Sequence, residues 1–377
     1  MRRTAQLLPG DAKTDRRDAH VIAWAALKLP ETLRDAGPDD ETLVVKLTSA
    51  YADFPFVASH PALSPVPECA ESDVKSFYLA PVGNGPFMMD GKWEDGQEIN
   101  LKKFDDYYGD KAKIDAIHFQ VIKDVETAYK EFQAGNLDVC DVPVAQIDAA
   151  KKDRGESKDG YTMGDGERML LGSEPSTYYL TCNTTAEPFN NADLRRGISL
   201  AINREAICKT IFKGTRTPAD GIVPPGIAGY KEGAWEFCAY DVDKANEYLD
   251  KVAPAGANGD RGINVTLSYN QDGGHKEIME SIIGDLAKVG VTAVSDTPEW
   301  SALLEQYQNF NYQFGRLGWI ADYPIMDNFL YPLFHSDSLG GDNRSGYNNP
   351  EFDAKVDEAR ATVDDDERIA KMQEADA

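Results

Sequence analysis

The stretch VTLSYNQDGGHKEIMESIIGDLAKVGVTAV, residues 265–294, carries the fold class in its own alternation of residue types. Val265-Thr266-Leu267-Ser268-Tyr269 is rich in β-branched and aromatic side chains, the composition of a strand. From Lys276 to Val289 the pattern changes to that of an amphipathic helix. Gly290 closes that helix, because glycine takes the left-handed backbone of a helix stop without a steric penalty. Val291 to Val294 is the next strand. The same grammar stands earlier in the chain. Ile117–Ile122 reads as a strand, Asp124 caps a helix that runs to Gln133, Gly135 stops it, and Leu137-Asp138-Val139 forms a short strand. Strand, helix, strand is the order of an α/β protein.

Around these stretches the elements stay mixed. Thr42–Leu47 reads as a strand, and residues 63–67 (LSPVP) and 81–87 (PVGNGPF) are turns, the second leading into Phe87-Met88-Met89. Ile99-Asn100-Leu101 alternates as a strand does. Tyr178–Cys182 is a further strand. Residues 193–213 form a helix pair: Leu194, Ile198, Ala201 and Ile202 share a face, and Asn203 caps Arg204–Phe212. The closing residues, DDDERIAKMQEADA, are charged and helical.

Composition narrows the function. The 377 residues suggest two or three domains, and 39 basic against 64 acidic residues give a net charge of −25. That excess of carboxylates argues against nucleic acid for the main body, since phosphate is bound by clustered Lys and Arg. No apolar run reaches the ~18 residues of a membrane span. The five cysteines (Cys69, Cys140, Cys182, Cys208, Cys238) form no CxxC pair, so neither a zinc site nor a disulfide framework follows, although one or two bridges remain open. The five histidines are scattered, without HExxH or an i, i+4 pair. Neither G-x-S-x-G, a Walker loop nor G-x-G-x-x-G occurs. These residues imply no catalytic group, no metal and no cofactor. The reading is not an enzyme.

Three segments resemble family 5 of the bacterial extracellular solute-binding proteins, the dipeptide- and oligopeptide-binding components of ABC importers. The first is HPALSPVPE (60–68) with PVGNGPF (81–87) and KKFDDYYGDKAKIDAIHFQVI, although the family usually has Thr where Asn84 stands. The second is STYYLTCNTTAEPFNNADLRRGISLAINREAI (176–207) with GIVPPGIAGY. The third is RLGWIADYPIMDNFLYPLFHS (316–336) with SGYNNPEFDAKVDEA (345–359). Together they cover roughly residues 40–377.

The resemblance implies an α/β, periplasmic-binding-protein type II fold, two-lobed and here incomplete, in which the lobes close over an extended peptide held by main-chain hydrogen bonds. A buried peptide amino terminus is a desolvated cation that needs a carboxylate. The GWIADY stretch matches the family segment that supplies it, so Asp322 is the expected ligand for the α-amino group. Trp319 and Trp300 match positions whose rings border the ligand groove, and Arg316 matches a nearby basic position. The resemblance also implies a peptide ligand, ABC permease subunits as partners, a monomer, and an extracellular or periplasmic, membrane-anchored location. The same fold with another cargo (a nickel complex, an oligosaccharide or an opine) is the alternative.

The first residues differ in charge. Residues 1–34 carry seven Lys and Arg against four Asp and Glu, and the change comes at Asp35-Ala36-Gly37-Pro38-Asp39-Asp40. PGDAKTDRRDAHVIAWAALKLPETLR (9–34) resembles part of the catalytic domain of insertion-sequence transposases with a DEDD, RuvC-like site. That resemblance places Asp15 and Asp18 among the acidic metal ligands. Such a site takes further carboxylates from preceding strands, so the segment is read as an inert basic helical fragment, with DNA transposition only as ancestry. The expected organisation is therefore a chimera: 1–38 transposase-like, 39–79 the remnant of a small N-terminal subdomain, 80–178 part of lobe I, and 179–377 the peptide-binding lobe II, truncated at its end. MRRTAQLLPGDAKTDRRDAH lacks the apolar core of an export signal, so the chain as written is expected to stay cytoplasmic.

Overall fold

The computed structural model describes residues 47, 50–60, 63, 67, 69–93, 98–271 and 274–377. Residues 42–46 of the strand expected over Thr42–Leu47 and the segment 1–38, with Asp15 and Asp18, lie outside the described residues, and Leu47 itself is in no strand. The chain divides into two compact units.

The described part of the first unit falls within residues 61–158 and 162–170. Helix α1 (Val74–Leu79) starts where the Asp73 carboxylate accepts the Ser76 N–H. Strands β1 (Phe87–Met89), β2 (Ile99–Lys103) and β3 (Ala116–Phe119) form an antiparallel sheet in the order β1-β2-β3. The strand predicted to reach Ile122 ends at Phe119, where its pairing with Ile99 of β2 ends. Helix α2 (Val125–Gln133) is capped as the sequence implies: Asp124 Oδ1 accepts the Thr127 N–H at 2.8 Å, and Gly135 has φ +83°. Leu137-Asp138-Val139 is not a strand. Among the described residues no strand pairs with it, and Val139 is 77% exposed, so its alternation meets no sheet to join. Helix α3 (Ile147–Arg154) buries Ile147 and Ala150 with Met169 in a small core of this unit.

The second unit comprises residues 47–60, 159–161 and 171–377. Its elements are β4 (Ser176–Cys182), α4 (Ala192–Ala201), α5 (Arg204–Thr210), α6 (Val242–Val252), β5 (Ile263–Ser268), α7 (His275–Lys288), β6 (Val291–Asp296), α8 (Trp300–Gln308), β7 (Phe314–Ile320), α9 (Asp327–Phe334), α10 (Pro350–Ala361) and α11 (Asp365–Asp376). The sheet runs β4-β7-β5-β6, with β5 parallel to both β6 and β7 and β4 antiparallel to β7. Residues 265–294 thus form the β5–α7–β6 crossover that their alternation predicts, and Gly290 (φ +76°) ends the helix.

One face of this sheet carries the main core. Leu194 and Ile198 of α4, Leu249 of α6, Leu267 of β5, Met279 and Leu286 of α7 and Phe314 of β7 are buried together, and Phe189 stacks on Phe314 with centroids 5.2 Å apart. Asn191 and Asn203 cap α4 and α5 through their side chains. Helices α4 and α6 touch at Gly197, where a Cβ would lie 2.7 Å from Leu249 Cγ. The other face holds Leu303, Tyr307, Tyr312 and Leu317, with Trp300 and Tyr179 packed on them. There the Tyr307 hydroxyl lies 3.0 Å from Ser268 O and 3.1 Å from Arg316 O. A Cβ at Gly315 would fall 2.1 Å from that hydroxyl, so glycine admits the ring.

Buried polar contacts hold residues 50–60 to the last helices. The Tyr51 hydroxyl donates to Asp327 Oδ2 at 2.7 Å, the Ala52 N–H donates to Arg360 O at 3.2 Å, and Asp53 pairs with Arg368 at 3.1 Å. Arg360 lies 3.4 Å from Asp327 and 3.7 Å over the Tyr331 ring. Burial raises the Asp327 carboxyl, and Arg360 opposes that rise. Cys140, Cys182, Cys208 and Cys238 are free thiols. Among the described residues no helix is long and apolar enough to cross a membrane.

Candidate ligand-binding site at the carboxyl end of the sheet

Strands β5, β6 and β7 run parallel, so their carboxyl ends share one edge, the edge at which open α/β sheets bind ligands. Strand β4, antiparallel to β7, contributes its first residues there, with Tyr178 opposite Gly318. Arg316 and Trp319 both lie on β7, three positions apart, and side chains alternate along a strand, so the two leave opposite faces.

Arg316 is held by aromatic rings, one of which, Trp300, also packs on the Leu317 side of the sheet. Its guanidinium carbon lies 5.1 Å from the Tyr178 ring centroid and 5.6 Å from that of Trp300, the first residue of α8. Its Nη1 donates to Asn270 Oδ1 at 3.3 Å, while its buried Nε makes no hydrogen bond among the described residues. His275, at the start of α7, is buried beside them. Burial and the Arg316 charge push its imidazole down to about 4, so it is neutral at pH 7. Burial pushes the Tyr178 hydroxyl up to about 12 against the pull of Arg316, so the phenol keeps its proton, and its oxygen shares a hydrogen bond with His275 Nδ1 at 3.2 Å. Chemically this is a fixed cation framed by flat aromatic faces, suited to an anionic or polar group of a ligand.

On the second face the loop after β7 is built around Asn328, the second residue of α9, which is 1% exposed. Its Oδ1 accepts the Trp319 indole N–H at 3.1 Å and the Asp322 backbone N–H at 2.9 Å. Its Nδ2 faces Asp322 Oδ2 at 3.3 Å. The Asp322 side chain stays 40% exposed, and the other oxygen, Oδ1, lies 3.5 Å from His60 Nε2. A carboxylate held in this way, open to solvent on one side, can accept hydrogen bonds from an ammonium group.

The four residues expected from sequence thus fall into two pairs at one end of β7: Trp300 with Arg316, and Trp319 with Asp322. Sequence reasoning missed Tyr178, Asn270, His275, His60 and Asn328. The one legible signal was at Asn328, a polar residue entering the apolar run FLYPLF. Among the described residues no group of three or more His, Cys, Asp or Glu is arranged to hold a metal ion.

The family model for bacterial extracellular solute-binding proteins, family 5 Middle, matches residues 19–341. The oligopeptide-binding protein OppA of Bacillus subtilis is 32% identical over 351 residues, covering 90% of this chain and 62% of that protein. The heme-binding protein A of Haemophilus influenzae is 28% identical over 366 residues, covering 93% of this chain and 63% of that protein. The chain therefore spans about three fifths of the length of these relatives. Among solved structures, DppA from Helicobacter pylori in complex with the peptide STSA superposes with a TM-score of 0.78 at 24% identity, covering 98% of this chain and 69% of that one. AppA from Bacillus subtilis with a nonapeptide gives 0.73 at 23% identity, covering 92% and 70%. The fold is thus the mixed α/β fold of periplasmic binding proteins. The family match begins at residue 19, inside the segment 9–34 that sequence alone set apart from the solute-binding part.

Proposed function

The chain belongs to family 5 of the bacterial extracellular solute-binding proteins, and from that premise we propose that it is an extracytoplasmic component of an ABC importer that captures di- or oligopeptides. The observation that carries this reading is the Asp322 carboxylate, fixed by Asn328 beside Trp319 and still 40% exposed. An α-ammonium group brings three N–H donors and a full charge, so it satisfies such a carboxylate better than a neutral hydroxyl does. In this assignment Asp322 receives the peptide amino terminus, the Trp319 and Trp300 rings border its first side chains, and Arg316 attracts a polar or anionic group. The names of OppA, of DppA with STSA and of AppA with a nonapeptide support a peptide as the solute.

We assign residues 80–178 to one lobe and 179–377 to the peptide-binding lobe, with a monomeric protein delivering its cargo to permease subunits. Nothing in this assignment draws on residues 1–38. Their transposase resemblance is a separate reading, which metal-dependent cleavage of DNA would test. The peptide reading is tested by native mass spectrometry of the protein mixed with a pool of unblocked tripeptides. Peptide adducts that disappear with Asp322→Asn are expected. Adducts with a nickel complex or an oligosaccharide in place of peptides would overturn it.

A further inference from the structure

We infer that Asn328 is the positioning residue that aims the Asp322 carboxylate and the Trp319 ring at the ligand ammonium, an inference that rests on the proposed peptide reading. The amide can stand in one orientation only. Its Oδ1 meets two obligate donors, the Trp319 indole N–H at 3.1 Å and the Asp322 backbone N–H at 2.9 Å. A flipped amide would turn its NH2 toward both of these N–H groups, which have no acceptor to offer. The Nδ2 is therefore committed to Asp322 Oδ2 at 3.3 Å. The Tyr323 hydroxyl also meets this side chain.

With both oxygen lone pairs of Asn328 engaged and its residue 1% exposed, water does not compete for these bonds. One side chain thus ties a strand residue, a loop residue and a helix start into a single unit. The consequence lies at the carboxylate. Oδ2 of Asp322 is occupied from within, so Oδ1, which lies 3.5 Å from His60 Nε2, is the oxygen left to receive a ligand. His60 Nε2 is one neighbour of that oxygen, and a carboxylate oxygen offers two lone pairs, so one remains for a ligand. Asn328 decides which way the carboxylate faces, and the Trp319 ring is fixed by the same atom that fixes the backbone of Asp322. This makes Asn328 a determinant of preference for a free amino terminus, acting through Asp322 without touching the ligand.

The test is calorimetric titration of the full chain with tri-alanine and with N-acetyl tri-alanine, in wild type, Asn328→Ala and Asn328→Asp. Wild type is expected to prefer the unblocked peptide by at least roughly tenfold, the scale of a hydrogen bond to a charged group. Asn328→Ala is expected to bring that ratio close to one while affinity for the acetylated peptide changes little. Asn328→Asp keeps the acceptor for both N–H groups, so it covers the case in which the alanine variant does not fold. It replaces the amide donor with a second carboxylate beside Asp322, and one of two such carboxylates holds its proton to a higher pH. Its preference for the unblocked peptide is expected to differ from that of wild type, because the ammonium then meets an altered pair of carboxylates. If both peptides weaken equally in the variants, or if their preference is unchanged, Asn328 is only structural and the inference is wrong. If wild type itself shows no preference, the assignment of Asp322 has failed, and the inference with it.

Discussion

Lowering the pH from 7 to 5 should cost this protein stability through His275. The imidazole is 7% exposed, and burial together with the nearby Arg316 charge pushes it down to about 4. In the unfolded chain the same group titrates at ~6.5. Between those two values the unfolded state binds more protons, so the full contribution is present above pH 6.5 and is lost as the pH falls toward 4. Applying both values to the interval from pH 7 to pH 5 gives a loss of about 2 kcal/mol. The assay is urea unfolding of wild type and His275→Asn at both pH values. Carboxylates that titrate in the same range are common to the two proteins and cancel in the difference. Asparagine alters the bond to Tyr178 and shifts the absolute stability, but it carries no proton equilibrium. Wild type should therefore lose about 2 kcal/mol more than the variant on acidification. Parallel losses would refute the reasoning, because His275 would then be protonated at no cost and could not be held neutral beside Arg316.

Three other outcomes follow from the packing and the charge. Arg360→Met leaves the Asp327 carboxylate buried without its counter-ion and should cost about 3–5 kcal/mol, read as a lowered urea midpoint at pH 8. A loss below about 1 kcal/mol would mean that the Tyr51 hydroxyl alone satisfies Asp327. Gly197→Ala forces a methyl group to within 2.7 Å of Leu249 Cγ, so α4 and α6 must part, at a cost of about 1–3 kcal/mol in the same assay; an unchanged midpoint would show that the helices have slack. The net charge of −25 is self-repulsive, and raising salt from about 0.1 M to about 1 M shortens the screening length from ~10 Å to ~3 Å. The melting temperature should rise across that range, and a fall would assign the dominant surface electrostatics to attractive ion pairs.

What could be read from the sequence was what local chemistry decides. Gly290 and Asn203 marked helix ends because the αL stop and the side-chain cap are properties of single residues, and both stand where they were expected. The crossover at 265–294 was legible because its period changes twice within one stretch. Leu137-Asp138-Val139 alternates correctly and is still no strand, since a strand exists only where another can pair with it. Helix α9 was not read at all. Its residues Phe329, Leu330, Tyr331 and Leu333 are buried and it contains Pro332, so it shows neither an amphipathic stripe nor a clean helical composition. At the candidate site, Asp322, Trp319, Trp300 and Arg316 were found through resemblance, yet their grouping was not. The two faces of β7 separate Arg316 from Trp319, which is visible only once residues 314–320 are known to form one strand. Contacts between distant segments were out of reach of local pattern: Tyr51 meets Asp327 across 276 residues, and the same staple delivers His60 to Asp322.

The central claim is that Asp322 makes this chain a receptor for a free amino terminus, and binding of one unblocked peptide to wild type and to Asp322→Asn tests it most directly. Calorimetry with tri-alanine should give saturable binding to wild type that weakens by roughly tenfold or more with asparagine, which keeps the shape and removes the charge. Equal binding by the two proteins would contradict the account.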